Sequence, residues 1–285
     1  MAKTYNDLYL DVRHRLRKAG IEAAQLEARE LVCRACGKSR EEFLRDSRLY
    51  APRPVELQLD EMIQRRLRGE PVAYIIGEWD FYGLTLEVNR TVLIPRPDTE
   101  RIAERAIELA KSSGEHGRVL DLCCGSGCIG LAVAANTENC RVVLADLSED
   151  AVMMSRKNVR RHELHSRVTC IRLDAREDPP ELVWDFNLIV CNPPYIRTGE
   201  LAELDSSVRD YEPIMALDGG QDGLDYYRVI AKKWKKALRR TGSILFEVGY
   251  DQADDVAGIL SGCGYHNITR IPDYNGILRG VEATL

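Results

Sequence analysis

Apolar residues recur every four positions at Leu8, Val12 and Leu16, the spacing of one helix face. Thr4 can cap that helix and Gly20 can end it. A second helix follows from about Glu22 to Cys36 and stops at Gly37. "SREE" at Ser39–Glu42 spells a capping box for a short third helix. "PRPVELQLDEMIQRRLRG" opens on prolines, turns Leu59, Met62, Ile63 and Leu67 inward and ends at Gly69. Residues 1–70 are therefore expected to form a small helical domain. The apolar period then drops to two. "YIIGEWDFYGLTLEVN" alternates around Tyr82-Gly83, a hairpin signal, so a β-hairpin linker is expected over residues 71–92.

From residue 93 onward the expected domain is α/β. Short apolar, β-branched runs at 118–123, 141–146, 168–173, 186–191 and 243–249 are mostly separated by helical patterns. Continuous apolar strands with helical crossovers predict a parallel sheet covered on both faces. The end differs: "YHNITRI" and "ILRGVEATL" follow one another without a helix and predict a terminal antiparallel hairpin. That is the arrangement of class I (Rossmann-like) methyltransferases, here with a helical bundle in front.

Composition bounds the setting. The chain has 285 residues, 45% hydrophobic and 30% charged, enough for one large and one small domain. No run approaches the ~18 apolar residues of a membrane span. "MAKTYNDLYLDVRHRL" has no apolar core like that of a signal peptide. The nine cysteines are then expected to be reduced thiols of a cytoplasmic protein, and the sequons at Asn89 and Asn267 chance matches. Residues 1–70 carry 15 basic and 12 acidic residues, a net of +3, and the remainder 25 and 33, a net of −8. The acidic body argues against a stable nucleic-acid groove.

Candidate chemistry sits at strand ends. "VLDLCCGSGCIGLAVA" leaves the first strand and opens a helix. Gly125, Gly127 and Gly130 match the dinucleotide spacing G-x-G-x-x-G, so a Rossmann dehydrogenase has to be weighed. The acidic Asp121 beside those glycines opposes it, because it welcomes a cationic amine and repels a pyrophosphate. Asp146 ends the second strand, 25 residues after Asp121, where a carboxylate can accept ribose hydroxyls. Asp174, followed by Ala175, ends the third and suits an adenine amino group. Three acids at successive strand ends make S-adenosyl-L-methionine the preferred ligand.

The fourth strand runs into "NPPY". Pro193 and Pro194 fix φ and remove two donors, and the residue before a proline is held extended. Asn192 thus stands on a rigid elbow. Its Oδ1 and the carbonyl after it can each accept one N–H of a planar amide, aiming the nitrogen lone pair at a methyl donor. Tyr195 offers an aromatic face to the same group.

The sequence here resembles the HemK/PrmC family of peptide chain release factor glutamine methyltransferases. The resemblance spans "PVAYIIGEWDFYGLTLEV", "VLIPRPDTE", "LDLCCGSGCIG", "NPPYI", "YEPIMALDGGQDGLDYYRVI" and "LFEVGYDQ". It implies an enzyme that methylates the glutamine of the release-factor GGQ loop on its side-chain nitrogen. No membrane partner is expected, and the chain is expected to be a monomer. The resemblance also implies a cofactor loop at Cys123, Cys124, Gly125, Ser126 and Gly127, a ribose acid at Asp146 with Leu147 beside it, an adenine neighbour at Asp174 and Ala175, and a substrate amide site at Asn192, Pro193, Pro194 and Tyr195. Cys123-Cys124 departs from the usual Gly-Thr or Cys-Thr.

Alternatives are a nucleic-acid adenine N6-methyltransferase, which shares the NPPY element, glutamine methylation of a ribosomal protein, and a non-enzymatic cofactor binder, which has no need of NPPY. Cys33-x-x-Cys36 lacks a second ligand pair and is read as helix-interior thiols, and no metal site is expected. "GGQ" at Gly219–Gln221 is read as coincidence, and "KKWKK" at Lys232–Lys236 as a solvated helix face.

Overall fold

The computed structural model describes residues 3–114 and 116–285. It divides into two compact units, one of residues 1–78 with 205–211, the other of residues 79–204 with 212–285.

The first unit is built from α1 (Tyr5–Lys18), α2 (Ala24–Cys36), α3 (Arg40–Asp46), α4 (Arg53–Leu67) and α5 (Val72–Ile76). The caps stand where the sequence puts them. Thr4 with Asp7 and Ser39 with Glu42 form reciprocal capping boxes, and Gly37 ends α2 in the left-handed region, φ 64°. Val12, Leu16, Leu31, Val32 and Ile63 are almost wholly buried. Arg66 of α4 clasps Glu27 of α2 through two bonds of 2.6 and 3.1 Å. The expected 71–92 hairpin linker differs in one respect. Its first residues are the helix α5 of this unit, and its hairpin belongs to the other.

The second unit opens with that hairpin, β1 (Glu78–Phe81) and β2 (Leu84–Glu87). Tyr82 and Gly83 both take positive φ, 46° and 77°, as a tight two-residue turn demands. Phe81 and Leu86 are buried in this unit's core. Next come α6 (Pro97–Ser112), β3 (Arg118–Leu122), α7 (Cys128–Ala135), β4 (Arg141–Asp146), α8 (Glu149–Arg161), β5 (Val168–Arg172) and β6 (Phe186–Cys191). After the short α9 (Ser206–Arg209), which lies in the first unit, follow α10 (Asp225–Lys233), β7 (Leu238–Glu247), α11 (Ala253–Gly262), β8 (His266–Pro272) and β9 (Leu278–Thr284).

The seven strands are ordered β5-β4-β3-β6-β7-β9-β8. The first five are parallel, and β9 inserts antiparallel between β7 and β8. Strand residues alternate between two cores. Val119, Leu188, Val190 and Leu245 pack with residues of α6 and α7. Leu120, Ile189, Ile244 and Phe246 pack with residues of α10 and α11. From β3 the chain moves outward through β4 and β5, then returns to the other side of β3 as β6. That reversal opens a crevice at the carboxyl ends of the strands.

β7 begins five residues earlier than the expected 243–249 run and stops at Glu247. The "KKWKK" stretch also differs from a solvated face. Trp234 is fully buried, and its indole N–H donates to the Ala175 carbonyl at 2.8 Å. Lys233 and Lys235 donate to the carbonyls of Arg176 and Cys263, and Lys236 pairs with Asp178. The indole is too large and apolar to leave in water, and it draws the flanking ammonium groups onto nearby carbonyls.

Candidate active site

A cleft of about 1000 Å³, its open mouth included, lies at the crevice between β3 and β6. Asp121, Cys123, Cys124, Gly125, Ser126, Asp146, Leu147, Asp174, Ala175, Asn192 and Pro194 all line it. Of the residues singled out in the sequence, Gly127, Pro193 and Tyr195 are not part of its wall.

The glycine loop is held by backbone contacts and by two side chains, Asp146 and Asn158. Cys123 adopts φ 58° and Gly125 φ 55°, and a non-glycine residue held there is strained. The Cys124 N–H donates to the Ala145 carbonyl at 3.1 Å, and the Gly127 N–H to the Cys124 carbonyl at 2.7 Å. Gly125 and Gly130 serve different needs. A Cβ on Gly125 meets nothing within 4 Å, so that position opens to the cleft. A Cβ on Gly130 would stand 2.3 Å from Leu144 and 3.0 Å from the Asp121 carboxylate. Gly130 is therefore what lets α7 lie against β4.

Asp121 is 1% exposed. Its Oδ2 accepts from the Gly130 N–H at 2.8 Å, and its Oδ1 has no partner among the described residues. Burial, with the charge of Asp146 adding to it, pushes its pKa up to about 7. Asp146 is engaged by the loop: Oδ2 accepts from the Gly125 N–H and Oδ1 from the Ser148 N–H, each at 2.9 Å. Burial raises its pKa against those bonds. Asp174 is paired with Arg176 through bonds of 3.1 and 3.0 Å, which lowers its pKa.

The elbow leaves β6 at Asn192. No donor among the described residues reaches the Pro193 carbonyl. The backbone that follows, at Ile196, is braced by the segment 217–219. Ile196 N–H donates to Leu217 at 2.9 Å and the Gly219 N–H to the Ile196 carbonyl at 2.8 Å. A Cβ on Gly219 would lie 2.6 Å from the Tyr195 Cα, and one on Gly223 2.4 Å from the Tyr195 carbonyl oxygen. Gly219 and Gly223 of "GGQDG" thus have a structural purpose: only bare backbone can lie this close to the elbow.

Comparison with known proteins settles the family. The profile of the PrmC N-terminal domain matches residues 7–77, and that of the methyltransferase small domain residues 106–207. The release factor glutamine methyltransferase of Clostridium acetobutylicum is 40% identical over 226 residues, 79% of each chain. That of Clostridium botulinum is 33% identical over 277 residues, 97% of this chain and 98% of its own. This chain belongs to the release factor glutamine methyltransferase family. A methyltransferase from Pyrococcus furiosus, at 17% identity and a TM-score of 0.51 over 79% of this chain and 98% of its own, shares the fold.

Several residues that shape this family member's site escaped the sequence reading, and three of them carry no strand-end signal. Asn158 of α8 exchanges bonds with the Glu87 backbone, 2.7 and 3.0 Å, and donates to the Ser126 carbonyl at 3.0 Å. It ties the hairpin to the glycine loop. Arg96 lines the cleft and pairs with the buried Glu212. Gln252 is 2% exposed and donates to the Tyr195 carbonyl at 2.9 Å. Glu247 is the fourth. Its signal was visible: an acid in the otherwise apolar "SILFEVG", where a charge is costly unless it serves something. Among the described residues no group of His, Cys, Asp and Glu could hold a metal ion. No helix there is long and apolar enough to cross a membrane. Cys36 donates its thiol to the Cys33 carbonyl within α2 at 3.5 Å.

Proposed function

We propose that this chain methylates the side-chain nitrogen of the glutamine in the GGQ loop of peptide chain release factors, with S-adenosyl-L-methionine as methyl donor. The observation that carries the reading is Asn192. It leaves the sheet at the wall of a cleft that also holds a buried, half-partnered acid, and no donor among the described residues reaches the next carbonyl.

The cleft suits the donor. The bare oxygen of Asp121 needs a donor, and the cofactor's ammonium group would supply it. Gly125 leaves room for close approach, Asp146 and Leu147 would face the ribose, and Asp174 and Ala175 the adenine. When bound, S-adenosyl-L-methionine supplies an electrophilic methyl group on sulfur. The chain's own part is positioning. Asn192 Oδ1 and the Pro193 carbonyl each accept one amide N–H, which fixes the plane of the NH2 group and turns its lone pair toward the cofactor end. Both oxygens also stabilise positive charge growing on nitrogen. Alignment of this kind can supply roughly 7–11 kcal/mol of barrier reduction. Tyr195 stands outside the cleft wall, and burial pushes its phenol well above the ordinary range, so it stays neutral. The helical unit, whose first 70 residues are slightly basic, is assigned to gripping the protein substrate.

Mass spectrometry after parallel incubation with a release factor, a ribosomal protein and DNA tests the reading. Methylation of the GGQ glutamine is expected. Methyl transfer to DNA or the ribosomal protein alone would overturn it.

A further inference from the structure

Glu247 ends β7, and Asn192 follows the last residue of β6. These strands run parallel with Cys191 opposite Phe246, so the next pair in register is Asn192 beside Glu247. Glu247 is 3% exposed and is not part of the cleft wall, whereas Asn192 is. Its main chain is pinned by the Tyr227 hydroxyl, which donates to the Glu247 carbonyl at 2.9 Å. Around its carboxyl stand Thr99 and Asp98 of α6, Arg279 of β9 and the Asn192 side chain. Tyr195 of the elbow, Cys128 of α7 and Tyr227 of α10 are further titratable groups that feel its charge. Thr99 and Asn192 are close enough to stabilise the ionised carboxyl, although neither reaches Oε2 with full hydrogen-bond geometry.

An amide has an acceptor end and a donor end of nearly equal shape. Asn192 works only if its oxygen faces the substrate. We propose that Glu247 is a positioning residue: it accepts from Asn192 Nδ2 and so turns Oδ1 into the cleft. This rests on the substrate reading above. The ionised carboxylate can only accept, so it enforces one orientation. The protonated acid can donate to Oδ1 and take away the acceptor the substrate needs. Burial, reinforced by Asp98 and opposed by Arg279, pushes the Glu247 pKa up to about 7. Single-turnover methyl transfer at saturating cofactor therefore rises with pH through that value.

The test measures this rate on intact release factor from about pH 5.5 to about pH 8.5, for the wild type and Glu247→Gln. Affinity for the demethylated cofactor serves as the folding control. The expected result is a wild-type ionisation near 7. Glu247→Gln should keep its cofactor affinity, lose ~10- to 100-fold in rate as a misaligned group does, and lose that ionisation. A wild-type rate in the variant, or a slow rate with the same ionisation, overturns the proposal. If Glu247→Gln does not bind cofactor, Arg279→Gln decides. Removing that cation must move the ionisation upward, and an unmoved profile overturns the proposal. A wild-type enzyme inactive on release factor would instead sink the substrate reading, and this inference with it.

Discussion

The side-chain amide of Gln252 donates to the Tyr195 carbonyl at 2.9 Å, while its own oxygen accepts the Gly249 N–H at 3.0 Å. One buried side chain thus couples the turn after β7 to the elbow after β6. Gln252→Ala leaves the Tyr195 carbonyl and the Gly249 N–H without these partners, at about 1–3 kcal/mol for a buried unmet group. Methyl transfer is expected to slow by about tenfold or more, with cofactor affinity little changed, in single-turnover kinetics beside calorimetry.

On the proposed reading, Asn192→Ala removes one of the two oriented acceptors. It is expected to lose at least ~10²-fold in kcat, comparable to the loss of one oriented polar group elsewhere. Asn192→Asp keeps an acceptor and should retain more. Full activity in the alanine variant would show that the reacting nitrogen is held by other groups.

On the proposed reading, the Asp121 carboxyl, pushed up to about 7, sets the pH dependence of cofactor binding. Pairing with an ammonium favours the ionised carboxylate, so the pKa falls on binding. Below about pH 7 binding must therefore release a proton, and affinity must weaken as pH drops. Calorimetry of the demethylated cofactor at pH 6, in buffers of different ionisation heat, should detect that proton. Asp121→Asn should bind more weakly and without the pH dependence.

The same shifts bear on stability. Asp121 and Glu247 both have folded pKa values raised to about 7, against about 4 in an unfolded chain. Between those values the folded state holds more protons. Their contribution is therefore fully present below about pH 4 and is lost as pH rises through 7. Other carboxylates act in the opposite sense at the acid end. The melting temperature of Glu247→Gln should accordingly fall less than that of the wild type between pH 6 and pH 8 in thermal melts.

Gly219→Ala places a Cβ 2.6 Å from the Tyr195 Cα, where only backbone can give way. The elbow must shift, at about 1–3 kcal/mol of stability for overpacking. The rate of methyl transfer should fall more than cofactor affinity does. Gly199→Ala, where a Cβ meets nothing within 4 Å, is the control and should leave both unchanged.

Much of this protein is local and so can be read along the chain. Capping at Thr4 and Ser39, the stops at Gly37 and Gly69, the two-residue turn at Tyr82-Gly83 and the apolar strands need only neighbouring residues to be specified. So do the strand-end acids and the proline-locked Asn192, because parallel strands deliver their carboxyl ends to one rim whatever the details. What the tertiary structure alone decided is pairing between distant residues. The insertion of β9 between β7 and β8 follows from strand contacts that no periodicity encodes. The lysines around Trp234 look solvated until the indole finds Ala175, 59 residues away. The two most distinctive stretches, "VLIPRPDTE" and "YEPIMALDGGQDG", meet only in three dimensions, where Arg96 of the first pairs with Glu212 of the second. Glu247 illustrates the limit. Its oddity was visible as a charge in an apolar run, but its partner was not, because the β6–β7 register that sets it beside Asn192 is fixed by sheet packing and not by the sequence around either residue.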